Sequence, residues 1–257
     1  MHPRSPSSPR SRHPFRLSLR LLLAGLLLPL LATAPLHGDD ARVEAILEKA
    51  RAAIGPEDRI EAVETLQYRG VLEPAGGGAP RPLVLTLRKP AQQRLDLRGE
   101  DERVLAVVNR LEGFTVEEDL RAGTARLGLM TPLQQSRFRM NAVENLYFFR
   151  PPPRFPVDRT YLGLVDLQGR TLEAIRFDHG NRVAITRYFD PESGQLVATR
   201  LDDGTLNVET ATRAADGLRL TTEVEAYEDG ELRHILRFEE IRVNPELPPD
   251  FFAMPGE

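Results

Sequence analysis

The sequence predicts an α+β protein built on a curved antiparallel β-sheet of about 11–12 strands, an incomplete half-barrel with helices covering its concave face. From Glu64 onward, apolar and polar residues alternate with a period of two, which is typical of a sheet with one buried and one solvated face. Two segments with helical periodicity accompany the strands. A curved open sheet needs such helices to cover its apolar face.

Residues 39–54 are predicted to form an amphipathic helix, because apolar residues recur on one face and Asp39 or Asp40 can cap the N-terminus. Gly55-Pro56 ends this helix in the expected order. A short helical turn is predicted over 57–63. The apolar face consists of Val43, Ile46, Leu47, Ala50 and Ile54.

A second helix is predicted to begin at Thr131-Pro132, since threonine is a good N-cap and proline is favoured at the first helical position. It extends to about residue 148 and ends before the run of prolines at 151–153. Its apolar surface consists of Leu133, Phe138, Met140, Val143, Leu146 and Tyr147.

The remaining periodic segments are predicted strands joined by short turns. Turn sequences such as Asp202-Asp203-Gly204 and Glu228-Asp229-Gly230 favour antiparallel hairpins. The first group of predicted strands covers 64–73, 83–88, 94–98, 104–108 and 114–116. The second group covers 160–167, 171–177, 182–189, 195–201, 205–210, 218–227 and 231–243.

His234 lies in a predicted strand on the same face as Leu232, Leu236 and Phe238. We interpret it as a half-buried packing residue, and a ligand or catalytic role is the alternative.

Residues 1–38 are predicted to be a secretory signal. The first 20 residues carry five arginines and no acidic residue, and the 14-residue stretch from Leu21 to Ala34 is almost entirely apolar. This stretch is short for a bilayer crossing, which needs about 20 residues. Cleavage is expected near Gly38, since Pro35 disfavours a cut directly after Ala34. An uncleaved membrane anchor is the alternative.

The chain has no cysteine, so it can be neither lipidated at an N-terminal cysteine nor cross-linked by disulfides. We therefore expect a periplasmic protein, exported with its signal cleaved and soluble, whose residues 39–257 form a single half-barrel domain. The signal holds five of the 34 basic residues and none of the 38 acidic ones, which leaves 29 basic residues and a net charge near −9. Such acidity argues against a nucleic acid partner.

The predicted mature chain is poor in catalytic side chains, with two histidines, His179 and His234, and two serines, Ser136 and Ser193. A nucleophile needs a neighbouring base, and zinc needs three or four ligands, often at short spacing. Neither pattern is present, so we expect no enzymatic activity, no catalytic residues, no metal and no cofactor. A hydrolase that uses a pair of carboxylates is the one enzymatic alternative.

Two local motifs carry a resemblance to a known family. The first is Arg187-Tyr188-Phe189-Asp190-Pro191-Glu192-Ser193-Gly194 between two strands, and the second is the closing segment from Asn244-Pro245 to Phe252-Ala253-Met254-Pro255. Together with the order of signal, helix, meander, covering helix and second meander, they resemble the periplasmic outer-membrane lipoprotein-sorting carrier (LolA-like) superfamily.

The resemblance implies an incomplete barrel whose open apolar face holds acyl chains beneath helical lids. It implies a non-enzymatic periplasmic carrier or binding protein for lipid or lipoprotein acyl chains, with outer-membrane lipoprotein sorting as one such role. A membrane-anchored donor or acceptor protein would then be a partner. The alternative is an envelope sensor or regulatory module that binds a membrane partner protein.

The inward apolar side chains are the candidate ligand-binding residues, because each methylene of a ligand moved from water to such a surface contributes about 0.8 kcal/mol. A large apolar face left unfilled marks a ligand or partner site. Ordinary core packing is the alternative for each residue. The candidates are Leu83, Leu85, Leu87, Leu95, Leu97, Phe138, Met140, Leu220, Val224, Leu236 and Phe238.

Overall fold

The computed structural model describes residues 37–110 and 112–254. The predicted signal therefore lies outside the described residues, apart from its last two positions. The helices are α1 (His37–Ile54), α2 (Glu57–Glu61) and α3 (Pro132–Leu146). The strands are β1 (Thr65–Pro74), β2 (Arg81–Arg88), β3 (Gln92–Arg98), β4 (Glu102–Asn109), β5 (Glu112–Asp119), β6 (Thr124–Leu129), β7 (Asp158–Leu167), β8 (Arg170–Asp178), β9 (Ala184–Phe189), β10 (Leu196–Arg200), β11 (Leu206–Ala215), β12 (Leu218–Glu228) and β13 (Glu231–Val243).

All 13 strands belong to one antiparallel sheet in the order β6-β5-β4-β3-β2-β1-β13-β12-β11-β10-β9-β8-β7. Every neighbouring pair is consecutive along the chain except β1 and β13. The sheet thus consists of two meanders, β1–β6 and β7–β13, joined side by side. Strands β6 and β7 form its two edges, so the curved sheet is not closed. The predicted fold class, a curved α+β half-barrel, is confirmed.

The sequence prediction omitted one strand, β6. This edge strand pairs only with β5, and almost all of its side chains are exposed, including Leu127 at 51% and Leu129 at 77%. Ala125, Leu127 and Leu129 do alternate with Thr124, Arg126 and Gly128, but this short pattern was not assigned to a strand, and in the structure neither of its faces is buried.

The junction between the meanders is the pairing of β1 with β13, and Gly70 makes it possible. The register shifts between Arg69, which pairs with Glu240, and Gly70, which pairs with Phe238. A Cβ atom at Gly70 would lie 1.8 Å from the Arg237 carbonyl oxygen. Only glycine therefore allows the two backbones to approach this closely.

Asn244 ties the end of β13 to the start of β1. Its Oδ1 accepts hydrogen bonds from the backbone N–H groups of Glu64 (2.7 Å) and Thr65 (2.9 Å). Its Nδ2 donates to the carbonyl oxygen of Ala62 at 2.9 Å. One side chain thereby satisfies three backbone groups where the meanders meet.

The C-terminal segment packs on the face of the sheet opposite the helices. Phe252 is buried with Leu105 and Val107 of β4, whose neighbours Ala106 and Val108 point to the helical side. Arg94 donates a hydrogen bond to the carbonyl oxygen of Phe251 at 2.7 Å, which fixes the segment to β3. The closing motif thus covers a surface that would otherwise expose apolar residues.

Both predicted helices are present, and α3 begins at Pro132 after its Thr131 cap as predicted. The predicted start of α1 is wrong, because α1 begins at His37 and Asp39 and Asp40 lie within its first turn instead of capping it. The buried side chains of α1 include Val43, Ile46, Leu47 and Ala50, as the periodicity predicts. Thr131 and Gln134 form a reciprocal capping box at the start of α3. No helix within residues 37–110 and 112–254 is long and apolar enough to span a membrane.

His234 is half-buried in β13, opposite Ala226 of β12 and Pro74 of β1. Burial lowers the pKa of its imidazole, so the neutral form is favoured in the folded protein.

We expect Gly70→Ala to lower the free energy of unfolding by about 3 kcal/mol, because the new methyl group must displace strand backbone. Urea denaturation measures the change. Gly76→Ala is the matched control, since no heavy atom lies within 4 Å of a Cβ there, and its stability should stay within about 0.5 kcal/mol of the parent. Equal denaturation midpoints for Gly70→Ala and Gly76→Ala would contradict this role for Gly70.

Candidate ligand cavity beneath the helices

A cavity of about 250 Å³ lies between the helices and the sheet. Helices α1 and α3 cover it, and strands from both meanders form its floor. The walls are mainly apolar and include Ala50, Ala53, Ile54, Tyr68, Phe148, Phe149, Ile185, Leu196 and Leu201. Polar side chains are gathered along part of the wall and include Asn141, Glu144, Asn145, Arg187, Thr199, Asn207 and Glu209.

Six of the eleven candidate residues line this cavity. The register of the sheet brings them together: Leu85 pairs with Tyr68 of β1, and Leu236 pairs with Val224 of β12. The ring of Phe238 packs against that of Tyr68 at a tilt of 54°, with 5.0 Å between centroids. The six are Leu85, Met140, Leu220, Val224, Leu236 and Phe238.

The other five candidates lie outside the cavity wall. Leu83 and Leu87 are buried in the core cluster beneath it, at 4% and 0% exposure, and Leu95 and Leu97 pack against that cluster. Phe138 packs against a smaller cluster with Met130. All five are packed by neighbouring protein side chains.

Arg51 fixes the covering helices to each other. Its buried guanidinium donates hydrogen bonds to the carbonyl oxygens of Tyr147 and Phe148, each at 2.8 Å, and pairs with Glu57. These carbonyls follow the last turn of α3, where helix carbonyls have no partner within the helix. Phe148 and Phe149 take left-handed φ values of 46° and 73°, and both rings then face the cavity.

Glu144 brings a carboxylate into the polar part of the wall. Its side chain is fully buried, with Oε1 3.2 Å from His179 Nε2 and Oε2 3.4 Å from Arg187 Nη2. Neither donor is aligned for a hydrogen bond, so both carboxylate oxygens lack one. Buried polar groups are nearly always hydrogen-bonded, which makes Glu144 an exception.

Arg187 of β9 lies beside Glu144 of α3, and aromatic rings pack against its guanidinium. Its guanidinium carbon is 4.7 Å from the centroid of Phe149 and 5.7 Å from that of Phe177. Burial lowers the pKa of this side chain, and nearby Glu144 and Glu209 oppose the shift. Its Nε has no hydrogen-bond partner among the described residues.

Glu209 of β11 is the second carboxylate of the wall. Burial raises its pKa, while a hydrogen bond from Thr221 and the charge of Arg187 act in the opposite direction. The cavity thus combines an apolar floor with two carboxylates and one buried guanidinium. No group of three or more potential metal ligands is found in residues 37–110 and 112–254.

Sequence reasoning missed Glu144, Arg187 and Glu209 as cavity residues. A signal for Arg187 was available, because it lies at the inward-facing position between Ile185 and Phe189 of a predicted strand. For α3, the spacing of Asn141, Glu144 and Asn145 places three polar side chains on one helix face. Both signals were overlooked because only apolar side chains were considered as candidates for the interior.

No family model and no curated protein matches the sequence. Among solved structures, the chain is similar to a DUF1329 family protein from Desulfovibrio piger ATCC 29098, with a TM-score of 0.54 and 9% identity over 82% of this chain and 96% of that one. It is also similar to a LolA superfamily protein from Nitrosomonas europaea, with a TM-score of 0.53 and 10% identity over 82% of this chain and 97% of that one.

A third similar structure is a putative outer membrane lipoprotein-sorting protein domain from Vibrio parahaemolyticus, with a TM-score of 0.50 and 11% identity over 82% of this chain and 97% of that one. Identities of 9–11% show a common fold and no more. The likeness inferred from the turn and tail motifs is confirmed at that level. The chain has the half-barrel fold of LolA superfamily proteins.

Proposed function

We propose that this protein is a non-enzymatic periplasmic carrier or binding protein for lipid or lipoprotein acyl chains. The observation that supports the proposal most directly is the apolar cavity beneath α1 and α3. Its apolar floor suits an acyl chain, since each methylene that leaves water for such a surface contributes about 0.8 kcal/mol. The fold shared with a lipoprotein-sorting domain is consistent with this role.

The size of the cavity supports a ligand-binding role. Protein interiors are close-packed, and an unfilled apolar void costs about 24 cal/mol per Å³. On this scale a sealed void of 250 Å³ would cost roughly 6 kcal/mol, which is an upper bound here because the cavity is partly open to solvent and part of its wall is polar. Total stabilities are about 5–15 kcal/mol, so a sequence selected for stability alone would fill this space.

A second candidate function is an envelope sensor or regulatory module that binds a membrane partner protein. Exposed leucines on the two open edges of the sheet favour it: Leu127 and Leu129 on β6, and Leu162 and Leu164 on β7. Edge strands offer unpaired backbone groups to which a partner strand can add. Such docking does not require the cavity, so cavity substitutions distinguish the two functions.

We expect Leu85→Glu and Leu236→Glu to abolish binding of a fluorescent fatty-acyl probe while each variant keeps a cooperative thermal transition. Both leucines are half-buried in the cavity wall, where a charge remains partly hydrated, whereas a charge in a packed core costs several kcal/mol. Probe titration and thermal melting measure the two effects.

The matched control is Leu164→Glu on edge strand β7, where the parent side chain is 59% exposed. It should bind the probe as the parent does. Wholesale unfolding of both cavity variants would show that Leu85 and Leu236 are ordinary core residues. Unchanged probe binding in two folded cavity variants would argue against the carrier role.

The periplasmic location is also part of the proposal, and it rests on the basic and apolar segments of residues 1–38. Protein recovered from the periplasmic fraction should have an intact mass that corresponds to an N-terminus near Asp39. Retention of residues 1–38 in a membrane pellet would contradict it.

A further inference from the structure

We propose that the cavity prefers amphiphiles whose polar end is an uncharged group that both donates and accepts hydrogen bonds, a hydroxyl or an amide, over amphiphiles that end in a free carboxylate. Glu144 accepts the hydrogen bond from this group, and Arg187 donates one to it. The inference rests on the proposed function and names the chemistry of the ligand for the same cavity.

Glu144 and Arg187 have unused hydrogen-bonding capacity. Glu144 and Arg187 both line the cavity, and their side chains are 0% and 7% exposed. Both oxygens of Glu144 and the Nε of Arg187 lack hydrogen bonds. Leaving buried charged groups without such bonds is costly, so a ligand that supplies a donor to Glu144 and an acceptor to Arg187 is favoured.

The neighbouring amides leave these two groups free to engage a ligand. Asn145 donates to the backbone oxygen of Asn141 at 2.8 Å, and Asn141 in turn donates to Gln93 at 2.7 Å. The polar face of α3 therefore has its amide groups already engaged within the protein. Phe149 lies against the Arg187 guanidinium, with 4.7 Å between its ring centroid and the guanidinium carbon, and a phenyl ring accepts no conventional hydrogen bond, so the Arg187 N–H groups keep their capacity to donate.

The charges around the cavity argue for an uncharged polar end. Two carboxylates, Glu144 and Glu209, face one buried guanidinium, Arg187, and His179 lies behind Glu144. The remaining charged wall residue, Arg219, is exposed and therefore screened by solvent. A ligand carboxylate would add a further negative charge beside Glu144, while a ligand ammonium would meet Arg187. A hydroxyl or amide avoids both repulsions.

The test compares ligands of one chain length: decanol, decanamide, decyl methyl ether and decanoate. Each displaces the uncharged dye N-phenyl-1-naphthylamine from the full-length mature protein at pH 7.5, and half-displacing concentrations are compared. The ether accepts hydrogen bonds but cannot donate one. We expect the wild-type protein to require at least fivefold more ether than decanol.

The Glu144→Gln variant shows how much of the preference comes from Glu144. The intrinsic hydrophobicity of each ligand is the same whether it binds the wild-type protein or the variant. We expect the ratio of decanoate to decanol half-displacing concentrations to fall at least tenfold in this variant. Glu48→Gln, an exposed substitution on α1, is the control and should leave the ratio unchanged. A cooperative thermal melt verifies that Glu144→Gln is folded.

Equal displacement by ether and decanol in the wild-type protein would overturn the inference without any variant. An unchanged decanoate ratio in folded Glu144→Gln would also overturn it, and Glu144 and Arg187 would then be a structural ion pair. In both cases the carrier function stands, because the chains still bind. Failure of the dye and of all four ligands to bind would instead reject the proposed function together with the inference.

Discussion

Backbone pairing between β1 and β13 joins two meanders whose other strand pairs are all consecutive along the chain. The cavity floor spans this junction, with Tyr68 and Leu85 contributed by the first meander and Val224 and Leu236 by the second. A shift of register by one residue at this junction would turn the side chains of one meander to the opposite face relative to those of the other. The close approach at Gly70 and the three hydrogen bonds of Asn244 therefore determine which residues face the cavity.

Above the sheet, the covering helices are fixed by a polar contact. Arg51 of α1 donates to the carbonyls that follow α3, so the two helices hold each other over the floor. Helices attached in this way do not need to fill the space beneath them. The buried pair of Glu144 and Arg187 further limits collapse, because closing apolar groups over charged groups that lack hydrogen bonds would cost free energy.

Local patterns in the sequence predicted the elements well. The Thr131-Pro132 signal located α3, and alternation located every strand except β6, whose short alternating pattern over 124–129 was not assigned. Partners distant in sequence were harder to infer. Gly70 was correctly assigned to a strand, but its close approach to Arg237 was not predicted. Nothing in the local sequence indicates which backbone lies opposite it.

The cavity residues were predicted only in part, again because contacts between residues distant in sequence cannot be inferred from local patterns. Alternation identified Leu85 and Leu236 as inward-facing, and both line the cavity, but Leu83 and Leu87 are equally inward-facing and lie in the packed core. The difference depends on which helix side chain lies above each leucine, and that contact is non-local. Arg187 and Glu144 were missed because charged residues are rarely fully buried unless they are paired across the fold.

Native mass spectrometry of protein released from the periplasm without detergent tests whether the cavity holds an acyl chain. We expect a mature chain that carries one lipid of acyl-chain mass, released on collisional activation. We also expect the same adduct to form when delipidated protein is incubated with a lipid extract. A mass of protein alone, both as purified and after incubation with excess extract, would show that the cavity does not hold an acyl chain.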